Sequence, residues 1–275
     1  MARLSKLSRS VAGKVAIVTG AGQSEGHGIG NGRATAIAFA REGATVVIAD
    51  RDEASASETA ATIGEAASVV ATDVAREGDC RELVAACLER HGRVDVLHHN
   101  VGIATGDGWA ENLDMAAWER IMRVNAGSAA MLAKAVVPPM RDQGGGAITH
   151  VSSIAAVCAT TSGLGNPPLS YKMSKAALNA LTQSLAQNYA AVGIRVNTIM
   201  PGLIDTPMGV DAAAREFGLD RDRYAAARNE AVPLKGGMGS AWDVANAAVF
   251  LASEEARFIT GVLLPVDGGQ SCRIG

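Results

Sequence analysis

Short apolar runs alternate with longer amphipathic segments along most of the chain. The apolar runs are rich in β-branched residues and predict strands at 14–19, 44–50, 68–71, 94–98, 147–151, 194–199 and 262–266. The segments between them have helical patterns at 33–43, 53–64, 77–91, 115–140, 171–191 and 241–252. Strands that are apolar on both faces and separated by helices are typical of a parallel sheet with helices on both sides.

This order predicts an α/β fold, a single doubly wound, Rossmann-like domain with a parallel seven-stranded sheet. We expect residues 1–10 to form an N-terminal tail and residues 11–275 to form the domain. A polar segment with helical character, 208–231, contains Gly209 and Gly218 and few strong apolar anchors. We expect this segment to be a mobile lid over a substrate site.

Composition and charge narrow the possible classes of function. The chain has 275 residues, 48% of them hydrophobic, which is enough for one sizeable core. It carries 25 basic and 28 acidic residues without an internal basic block, so nucleic-acid binding has no electrostatic support. No apolar stretch reaches the ~18 residues of a membrane span, and the N-terminus lacks a hydrophobic signal core. We therefore expect neither a nucleic-acid partner nor a membrane span.

Cysteines and histidines give no metal pattern. The four cysteines have neither metal-ligand spacing nor the spacing of a disulfide framework. His98, His99 and His150 lie at predicted strand ends, where packing or capping is the more common role. We expect no metal site, and a reducing cytoplasm is the expected location.

The first predicted strand leads into a loop with six glycines between Gly20 and Gly32. Glycines between a strand and a helix let the backbone approach a pyrophosphate, and the helix N-terminus supplies unpaired N–H groups. The alternative is a flexible turn without a ligand. The flanking strand and helix favour dinucleotide binding, and the loop lacks the Gly-Lys-Ser/Thr ending of a P-loop.

Asp50 ends the second predicted strand, where a carboxylate accepts hydrogen bonds from the adenosine ribose and repels a 2′-phosphate. A solvated turn aspartate is the alternative. Arg51 follows directly and has the opposite effect, because an arginine can receive a phosphate. The position of Asp50 after a strand favours NAD over NADP as the cofactor.

Tyr171 and Lys175 lie four residues apart in a predicted helix, so their side chains project from one face. The pKa of free tyrosine is near ~10, too high for efficient proton exchange at neutral pH. A neighbouring positive charge favours the phenolate and lowers that pKa. The pair is a candidate proton donor and acceptor for an alcohol or ketone, although the spacing alone also occurs by chance.

Further motifs accompany this pair in a fixed order. They are Thr19-Gly20 opening the glycine loop, Asp73-Val74, His99-Asn-Val-Gly102, Asn125 in Val-Asn-Ala-Gly, Ser153 in Val-Ser-Ser, Pro201-Gly202 leading to Thr206, and Val266-Asp-Gly-Gly269. With these motifs the chain resembles the short-chain dehydrogenase/reductase family over essentially its whole length. Each motif is weak alone, but the ordered set is specific.

The resemblance implies an enzyme that transfers a hydride between NAD(H) and a secondary alcohol or ketone. Tyr171 would be the general acid/base, and Lys175 would lower its pKa and bind the nicotinamide ribose. Ser153, rather than Ser152, would hydrogen-bond the substrate oxygen. Asn125 would anchor a water in a proton relay to Lys175. Cofactor contacts are implied for Gly20, Gly28, Ile29, Gly30, Gly32, Asp50, Arg51, Asp73, Val74, Asn100, Gly102, Tyr171, Lys175, Pro201, Gly202, Ile204 and Thr206.

The chain also departs from the family pattern. Its glycine loop is about six residues longer than usual, so Gly28, Gly30 and Gly32 compete for the phosphate contacts. His99 replaces an asparagine, and the interval from Ser153 to Tyr171 is about five residues longer than is common.

Two other functions compete with the dehydrogenase. An NADPH-dependent 3-oxoacyl-carrier-protein reductase is opposed by Asp50, and a dinucleotide-sensing protein without turnover is made unnecessary by the complete catalytic set. The substrate site is predicted to be mainly apolar, with Trp109, Ile154, Val157, Cys158, Leu164, Asn166, Met208, Val210, Phe217 and Tyr224. These residues do not name a molecule. The resemblance also implies a homotetramer, and small residues in helix 126–136 permit close helix contact.

Overall fold

A parallel sheet forms the centre of the computed structural model, which describes residues 11–158 and 169–272. Its strands are β1 (Val15–Thr19), β2 (Thr45–Asp50), β3 (Ala67–Ala71), β4 (Val96–His99), β5 (Gly146–Val151), β6 (Ile194–Pro201) and β9 (Leu263–Val266). The strand order is β3-β2-β1-β4-β5-β6-β9, with every neighbour parallel. This confirms the predicted doubly wound sheet of seven strands. A further pair, β7 (Ile204–Asp205) with β8 (Gly239–Ser240), was not predicted, because two-residue strands show no pattern.

The helices lie between the strands, mostly where the sequence predicts them. They are α1 (Asn31–Arg41), α2 (Glu53–Ile63), α3 (Glu77–His91), α4 (Met115–Met122), α5 (Ser128–Asp142), α6 (Leu169–Tyr189), α7 (Ala213–Glu216), α8 (Arg221–Glu230) and α9 (Ala241–Ala252). None of the helices within these two ranges is long and apolar enough to cross a membrane.

The predicted helix 115–140 is interrupted, which corrects the sequence expectation. A π-helical turn, Arg123–Gly127, separates α4 from α5 and contains Asn125. The Ser128 hydroxyl follows this turn, donating to the Val124 carbonyl and lying 2.8 Å from the His99 ring nitrogen Nε2. Such single π turns are frequent at functional sites. The interruption was not predictable from hydrophobic spacing, since it depends on a contact with another strand.

Two apolar layers form the core, one on each face of the sheet. Alternate residues of a strand point to opposite faces, so Val18 joins one layer while Ile17 joins the other. The first layer lies under α1 and α9 and includes the fully buried Phe39. The second lies under α3 and α5 and includes the fully buried Leu132. The central strands are therefore apolar on both faces, which is the pattern that the sequence shows.

The loops that carry the predicted site all follow the carboxyl ends of strands. The glycine loop follows β1, two further loops follow β4 and β5, and the segment with α7 and α8 follows β6. Strands β1 and β4 are neighbours, and the strand order runs outward in opposite directions from this pair. Ligands of open α/β sheets bind at this edge, beside such a reversal.

Candidate active site

A cleft of about 530 Å³ opens at the carboxyl edge of the sheet, where these loops meet. It is lined by most of the predicted cofactor residues and by three of the four predicted catalytic residues: Gly20, Gly30, Gly32, Asn100, Gly102, Ser153, Tyr171, Lys175, Pro201, Gly202, Ile204 and Thr206. Residues separated by up to 186 positions, from Gly20 to Thr206, therefore share one surface. The fold brings the predicted constellation together.

Lys175 lies at the floor of the cleft and is almost fully buried. Its ammonium nitrogen Nζ donates to the Val151 carbonyl at 2.9 Å. Burial lowers the pKa of Lys175 to about 8. A Cβ atom on Gly102 would lie 2.9 Å from this nitrogen, so a larger residue there would displace the lysine side chain. The ammonium group is thus fixed in position by the backbone around it.

Tyr171 lies one helical turn before Lys175 on α6, with the lysine Nζ 5.6 Å from the centre of its ring. Burial raises the pKa of the Tyr171 phenol, and a hydrogen bond with Ser153 lowers it by a smaller amount. In the chain alone, desolvation of the phenolate therefore outweighs the stabilising contact with Ser153. The lowering of this pKa by Lys175 stays a prediction.

The N-terminus of α6 is capped by Asp107, a residue that the sequence interpretation missed. Its carboxylate accepts from the backbone N–H groups of Ser170 at 3.1 Å and Tyr171 at 2.7 Å. A carboxylate at a helix N-terminus satisfies unpaired donors and interacts favourably with the helix dipole. Asp107 thereby fixes the start of the helix that bears the catalytic pair. Its distance of 64 residues from Tyr171 in the chain concealed this role.

The two serines after β5 have different surroundings. The Ser152 hydroxyl is buried and donates to the Lys175 carbonyl at 3.0 Å, which ties β5 to α6. Ser153 lines the cleft, hydrogen-bonds Tyr171, and accepts from the Ala155 N–H at 3.1 Å. Both serines line the cleft, but Ser153 is the one whose hydroxyl lies beside the tyrosine rather than bonded to the backbone of α6.

Asn125 is fully buried in the π-helical turn and does not line the cleft. Its side-chain amide pairs with the backbone of Ile103, accepting from the N–H at 2.8 Å and donating to the carbonyl at 2.9 Å. It also donates to the Ser174 hydroxyl on α6 at 2.9 Å. Asn125 thus joins the β4 loop to the catalytic helix, and the water relay implied for it stays a prediction.

The extended glycine loop is organised by Gln23, which the sequence interpretation did not single out. Its side chain accepts from the Gly30 N–H at 3.1 Å and donates to the Gly28 carbonyl at 3.2 Å. A Cβ on Gly32 would lie 1.9 Å from the Gly20 carbonyl oxygen, so Gly32 is required for close packing of α1 on the strand. A Cβ on Gly30 would meet nothing closer than 3.9 Å, and Gly30 lines the cleft. Of the three competing glycines, Gly30 and Gly32 line the cleft, and Gly30 has the more open surroundings of these two.

Asp50 lies at the end of β2, and its carboxylate accepts from the Gly22 N–H at 3.0 Å and the Asp52 N–H at 3.1 Å. A Cβ on Gly22 would collide with this carboxylate at 2.9 Å. Because Gly22 lines the cleft, the acidic side chain stands immediately behind the cleft wall. The carboxylate retains free lone pairs in this arrangement.

Several predicted cofactor residues lie outside the cleft lining. Ile29 and Val74 pack against the two core layers, and Arg51 is exposed. Asp73 accepts from the Ala75 N–H at 3.0 Å, which forms a turn before α3. Gly28 has a positive φ of 82°, which makes it a turn residue of the loop. The cofactor contacts implied for these residues stay predictions.

The substrate side of the cleft is walled mainly by apolar side chains, as predicted. Trp109, Ile154, Met208, Phe217 and Tyr224 line it. Val210 does not, because it is fully buried against Ala214 and Tyr224. Val157 and Cys158 lie outside the lining, and Leu164 and Asn166 lie outside the described residues.

The segment predicted to be a lid begins with a second π-helical turn, Pro207–Ala212, and continues into α7 and α8. Asp211 in this turn contacts the glycine loop: its Oδ1 lies 3.1 Å from the His27 backbone nitrogen and 2.7 Å from Nδ1 of that ring. Arg221 on α8 lies 3.4 Å from the same oxygen. Burial raises the pKa of Asp211, but the contacts with His27 and Arg221 outweigh it and lower the pKa. This cluster joins the two sides of the cleft.

The buried histidines occupy the sheet beneath the site. Burial lowers the pKa values of His98 and His150 to about 3, and it also lowers the pKa of His99 well below its usual value. His150 Nδ1 lies 2.7 Å from the Thr182 hydroxyl. Residues 11–158 and 169–272 contain no group of three or more His, Cys, Asp or Glu side chains arranged to bind a metal.

The cleft fits a nicotinamide dinucleotide. Its glycine backbone at Gly20, Gly22 and Gly30 offers a surface free of side chains beside the N-terminus of α1, where a pyrophosphate binds. The Asp50 carboxylate stands behind Gly22 at one end of this surface. Tyr171 and Lys175 lie at the other end. This arrangement of a β1–α1 glycine loop and an acidic second strand defines a dinucleotide-binding oxidoreductase.

Comparison with known proteins places this class in one family. A family model described as enoyl-(acyl carrier protein) reductase matches residues 22–271. The chain is 34% identical to a 2,5-dichloro-2,5-cyclohexadiene-1,4-diol dehydrogenase of Sphingobium indicum, covering 96% of this chain and 99% of that protein. It is 38% identical to a cis-4-hydroxycyclohexanecarboxylate dehydrogenase of Sinomonas cyclohexanicum, covering 96% and 98%.

Solved structures agree. A short-chain dehydrogenase/reductase of Burkholderia xenovorans has 40% identity and a TM-score of 0.88, covering 96% of this chain and 99% of that one. A carveol dehydrogenase of Mycobacterium avium in complex with NAD has 28% identity and a TM-score of 0.86, with the same coverage of 96% and 99%.

The chain belongs to the short-chain dehydrogenase/reductase family. It is an oxidoreductase that transfers a hydride between a nicotinamide dinucleotide and an alcohol or ketone. This confirms the resemblance carried by the motifs and decides against a dinucleotide sensor without turnover.

Proposed function

We propose that the protein oxidises a secondary alcohol on a ring, with NAD as the cofactor, or catalyses the reverse reduction. The observation that carries the proposal is the Ser153–Tyr171 hydrogen bond at the base of an apolar-walled cleft, beside the buried Lys175. NAD, when bound, supplies the hydride acceptor at the nicotinamide ring. The protein contributes position and proton transfer.

In this proposal Ser153 donates a hydrogen bond to the substrate oxygen and Tyr171 accepts the hydroxyl proton during oxidation. Because burial raises the pKa of Tyr171, the phenol holds its proton at neutral pH in the chain alone and can donate it during ketone reduction. Oxidation requires that the phenol first release this proton to solvent. Lys175, whose pKa is about 8, carries a charge below that pH and favours the phenolate. Asn125 and Asp107 orient α6, so the three groups meet the substrate without rearrangement.

Preference for NAD is proposed from Asp50. Its carboxylate lies at the adenosine end of the cleft, hydrogen-bonded only to backbone N–H groups of the described residues. A 2′-phosphate there would bring a second anion into a partly buried space, where like charges repel more strongly than in bulk water. The carveol dehydrogenase of similar fold contains NAD.

A ring-bearing substrate is proposed from the wall chemistry. Trp109, Ile154, Met208 and Phe217 offer flat and flexible apolar surfaces around a small number of polar groups, which is typical of sites for compact apolar ligands. The two relatives from Sphingobium indicum and Sinomonas cyclohexanicum are named for six-membered-ring alcohols.

The test is a turnover assay with matched substrates. Cyclohexanol, substituted cyclohexanols and a bicyclic secondary alcohol would be compared with straight-chain 2-alkanols of equal carbon number, following NADH absorbance. We expect ring alcohols to have a kcat/KM at least tenfold higher. Equal efficiency for ring and chain alcohols would contradict the ring proposal while leaving the oxidoreductase class intact.

Reduction of a 3-oxoacyl carrier protein is the second candidate, and the acyl-carrier-protein description of the family model favours it. This reaction requires binding of an acidic carrier protein and usually uses NADPH. The Asp50 carboxylate opposes binding of the NADPH 2′-phosphate. An assay of acetoacetyl carrier protein with NADPH beside the alcohol panel separates the two. Higher kcat/KM for the carrier protein would replace the alcohol proposal.

We further propose that the protein is a homotetramer and that it is located in the cytoplasm. α5 and α6 present alanine-rich surfaces that permit close helix contact, and the cysteines of the described residues are unpaired. Sedimentation equilibrium at micromolar concentration tests the assembly, for which a mass of four chains is expected. A stable monomer would contradict it.

A further inference from the structure

Arg228 on α8 is the feature that the proposed chemistry does not use. It lines the cleft together with three other ionisable residues of the described chain that carry full charges: Asp107, Lys175 and Glu216. Asp107 caps α6, and Lys175 donates to the Val151 carbonyl. Glu216 is exposed at the rim. Arg228 is the remaining cation, and it belongs to the apolar substrate side.

The contacts of Arg228 are all with neutral groups. Its Nε lies 3.4 Å from the Met238 sulfur, and its Nη1 donates to the Tyr224 hydroxyl at 3.3 Å. The guanidinium carbon lies 5.4 Å from the centre of the Tyr224 ring. Because Tyr224 is almost fully buried, this cation–π contact and hydrogen bond orient the arginine. Within residues 11–158 and 169–272, no carboxylate lies within ion-pair distance of it.

Arg221 on the same helix shows what an ordinary structural arginine does here. It forms ion pairs with Asp205, Asp211 and Asp222 at 3.2–3.4 Å. Arg228 lies seven residues further along α8 and forms no ion pair with the described residues. Its Nη2 lies 3.7 Å from the position that a Cβ on Gly209 would take. Gly209 lines the cleft, so this nitrogen faces the space beside the Thr206 loop.

We propose that Arg228 binds a carboxylate of the substrate. The substrate would then be a secondary alcohol, or the matching ketone, whose apolar body carries a carboxylate group. A guanidinium binds a carboxylate through two parallel hydrogen bonds, and these charge-assisted bonds are stronger than neutral ones. The apolar walls at Trp109, Ile154 and Phe217 contact the body of such a molecule, while Ser153 and Tyr171 contact its hydroxyl. This inference rests on the proposed function and names the substrate class for the same site.

The experiment compares acids with their neutral amides. Native enzyme would be assayed with 4-hydroxycyclohexanecarboxylate, 3-hydroxycyclohexanecarboxylate and the two matching carboxamides, which have similar shape without the charge. We expect kcat/KM for the acids to exceed that for the amides at least tenfold, mainly through KM. Arg228→Gln should lower kcat/KM for the acids at least tenfold and lower that for the amides much less, so that the ratio of acid to amide efficiency falls. Arg228→Lys should recover part of the loss, because it keeps the charge but not the forked geometry.

Arg223→Gln is the matched control, since Arg223 is an exposed arginine on the same helix. It should leave the ratio of acid to amide efficiency unchanged. Native enzyme without a preference for the acids would overturn the proposal. So would Arg228→Gln weakening NAD binding, measured by fluorescence titration, together with equal losses for acids and amides, because Arg228 would then bind the cofactor phosphates.

A binding measurement separates this inference from the proposed reaction. Calorimetric titration of cyclohexanecarboxylate and cyclohexanecarboxamide into the NAD-saturated enzyme needs no turnover. Tighter binding of the carboxylate, lost in Arg228→Gln, supports the carboxylate site even where the ring alcohols are poor substrates. Equal binding of the two compounds, or carboxylate binding that survives Arg228→Gln, overturns it.

Discussion

The catalytic centre and the segment 207–230 form opposite walls of one cleft but are stabilised in different ways. Tyr171 and Lys175 lie on α6, which is held by short hydrogen bonds with the buried Asn125 and Val151 and with the partly buried Asp107. The opposite wall rests on the small cluster Val210, Ala214 and Tyr224 and on the ion pairs of Arg221, two with exposed aspartates and one with the buried Asp211.

This difference has a functional meaning. Proton transfer requires groups that are fixed before the substrate arrives, and burial with complete hydrogen bonding supplies that rigidity. Substrate entry requires a wall that opens at small free-energy cost, and exposed ion pairs are worth little. The predictions below test each side of this contrast.

The largest effect is expected at the catalytic centre. Tyr171→Phe removes the phenol that transfers the proton and keeps the ring that packs beside Lys175. We expect turnover to fall roughly 10²–10⁴-fold, the usual contribution of general acid–base catalysis. NAD affinity and the unfolding midpoint should change little. A variant with more than about half the native turnover would refute the role of Tyr171.

Acid should destabilise the protein through the histidines beneath this centre. The pKa values of His98 and His150 are about 3 when folded, below the ~6.5 of an unfolded chain, so the unfolded state binds more protons between these values. Stability is therefore fully present above pH ~6.5 and is lost as the pH falls, by up to ~1.4 kcal/mol per pH unit for each histidine.

Urea unfolding at several pH values between 4.5 and 7.5 measures this loss for the native chain and for His150→Gln. This variant should reduce the slope of unfolding free energy against pH, because it removes one of the buried neutral histidines. Identical slopes for the native chain and His150→Gln would show that this histidine is not kept neutral by burial.

At the adenosine end we expect NAD to be preferred over NADP at least tenfold in kcat/KM, that is, by ~1.4 kcal/mol or more. Asp50→Ala should reduce this preference, because the repulsion of the 2′-phosphate disappears. Arg51→Ala is the matched control, and it should leave or increase the preference, since Arg51 is exposed and attracts phosphate. Steady-state rates with both cofactors decide the matter. Equal use of NADP by the native enzyme, or an unchanged ratio in Asp50→Ala, would refute the role of Asp50.

The smallest effect concerns the segment 208–231, which is predicted to be a lid. Asp211→Asn keeps the shape of the side chain but weakens its contacts with His27 and Arg221. We expect amide exchange across 208–231 to become about two- to tenfold faster without ligands, corresponding to ~0.5–1.5 kcal/mol. Asp222→Asn, whose side chain is 91% exposed, is the control and should exchange like the native chain.

Bound NAD and substrate should slow this exchange in the native protein. Equal protection with and without ligands would contradict a lid. Equal exchange in Asp211→Asn and native protein would instead show that the apolar cluster alone closes this wall.

Much of the site was predictable because its signals are local. The spacing of Tyr171 and Lys175, the glycines after β1 and the acid after β2 are each readable within one or two elements. The sequence did not predict the roles of Gln23, Asp107 and Arg228, because these roles depend on contacts that no sequence motif marks. Asp107 contacts a helix 63 residues away, and nothing in the sequence around it marks a helix cap.

The sequence by itself determined the order of strands and helices, the doubly wound sheet and the family. The spacing of apolar residues and the turn residues encode the strands and helices directly. The family motifs lie at fixed positions relative to these elements. Only the tertiary structure decided the direction of the Tyr171 pKa, the π-helical turn at Asn125 and the position of Arg228 in the cleft. These properties depend on burial and on contacts between distant segments, which residue spacing along the chain does not specify.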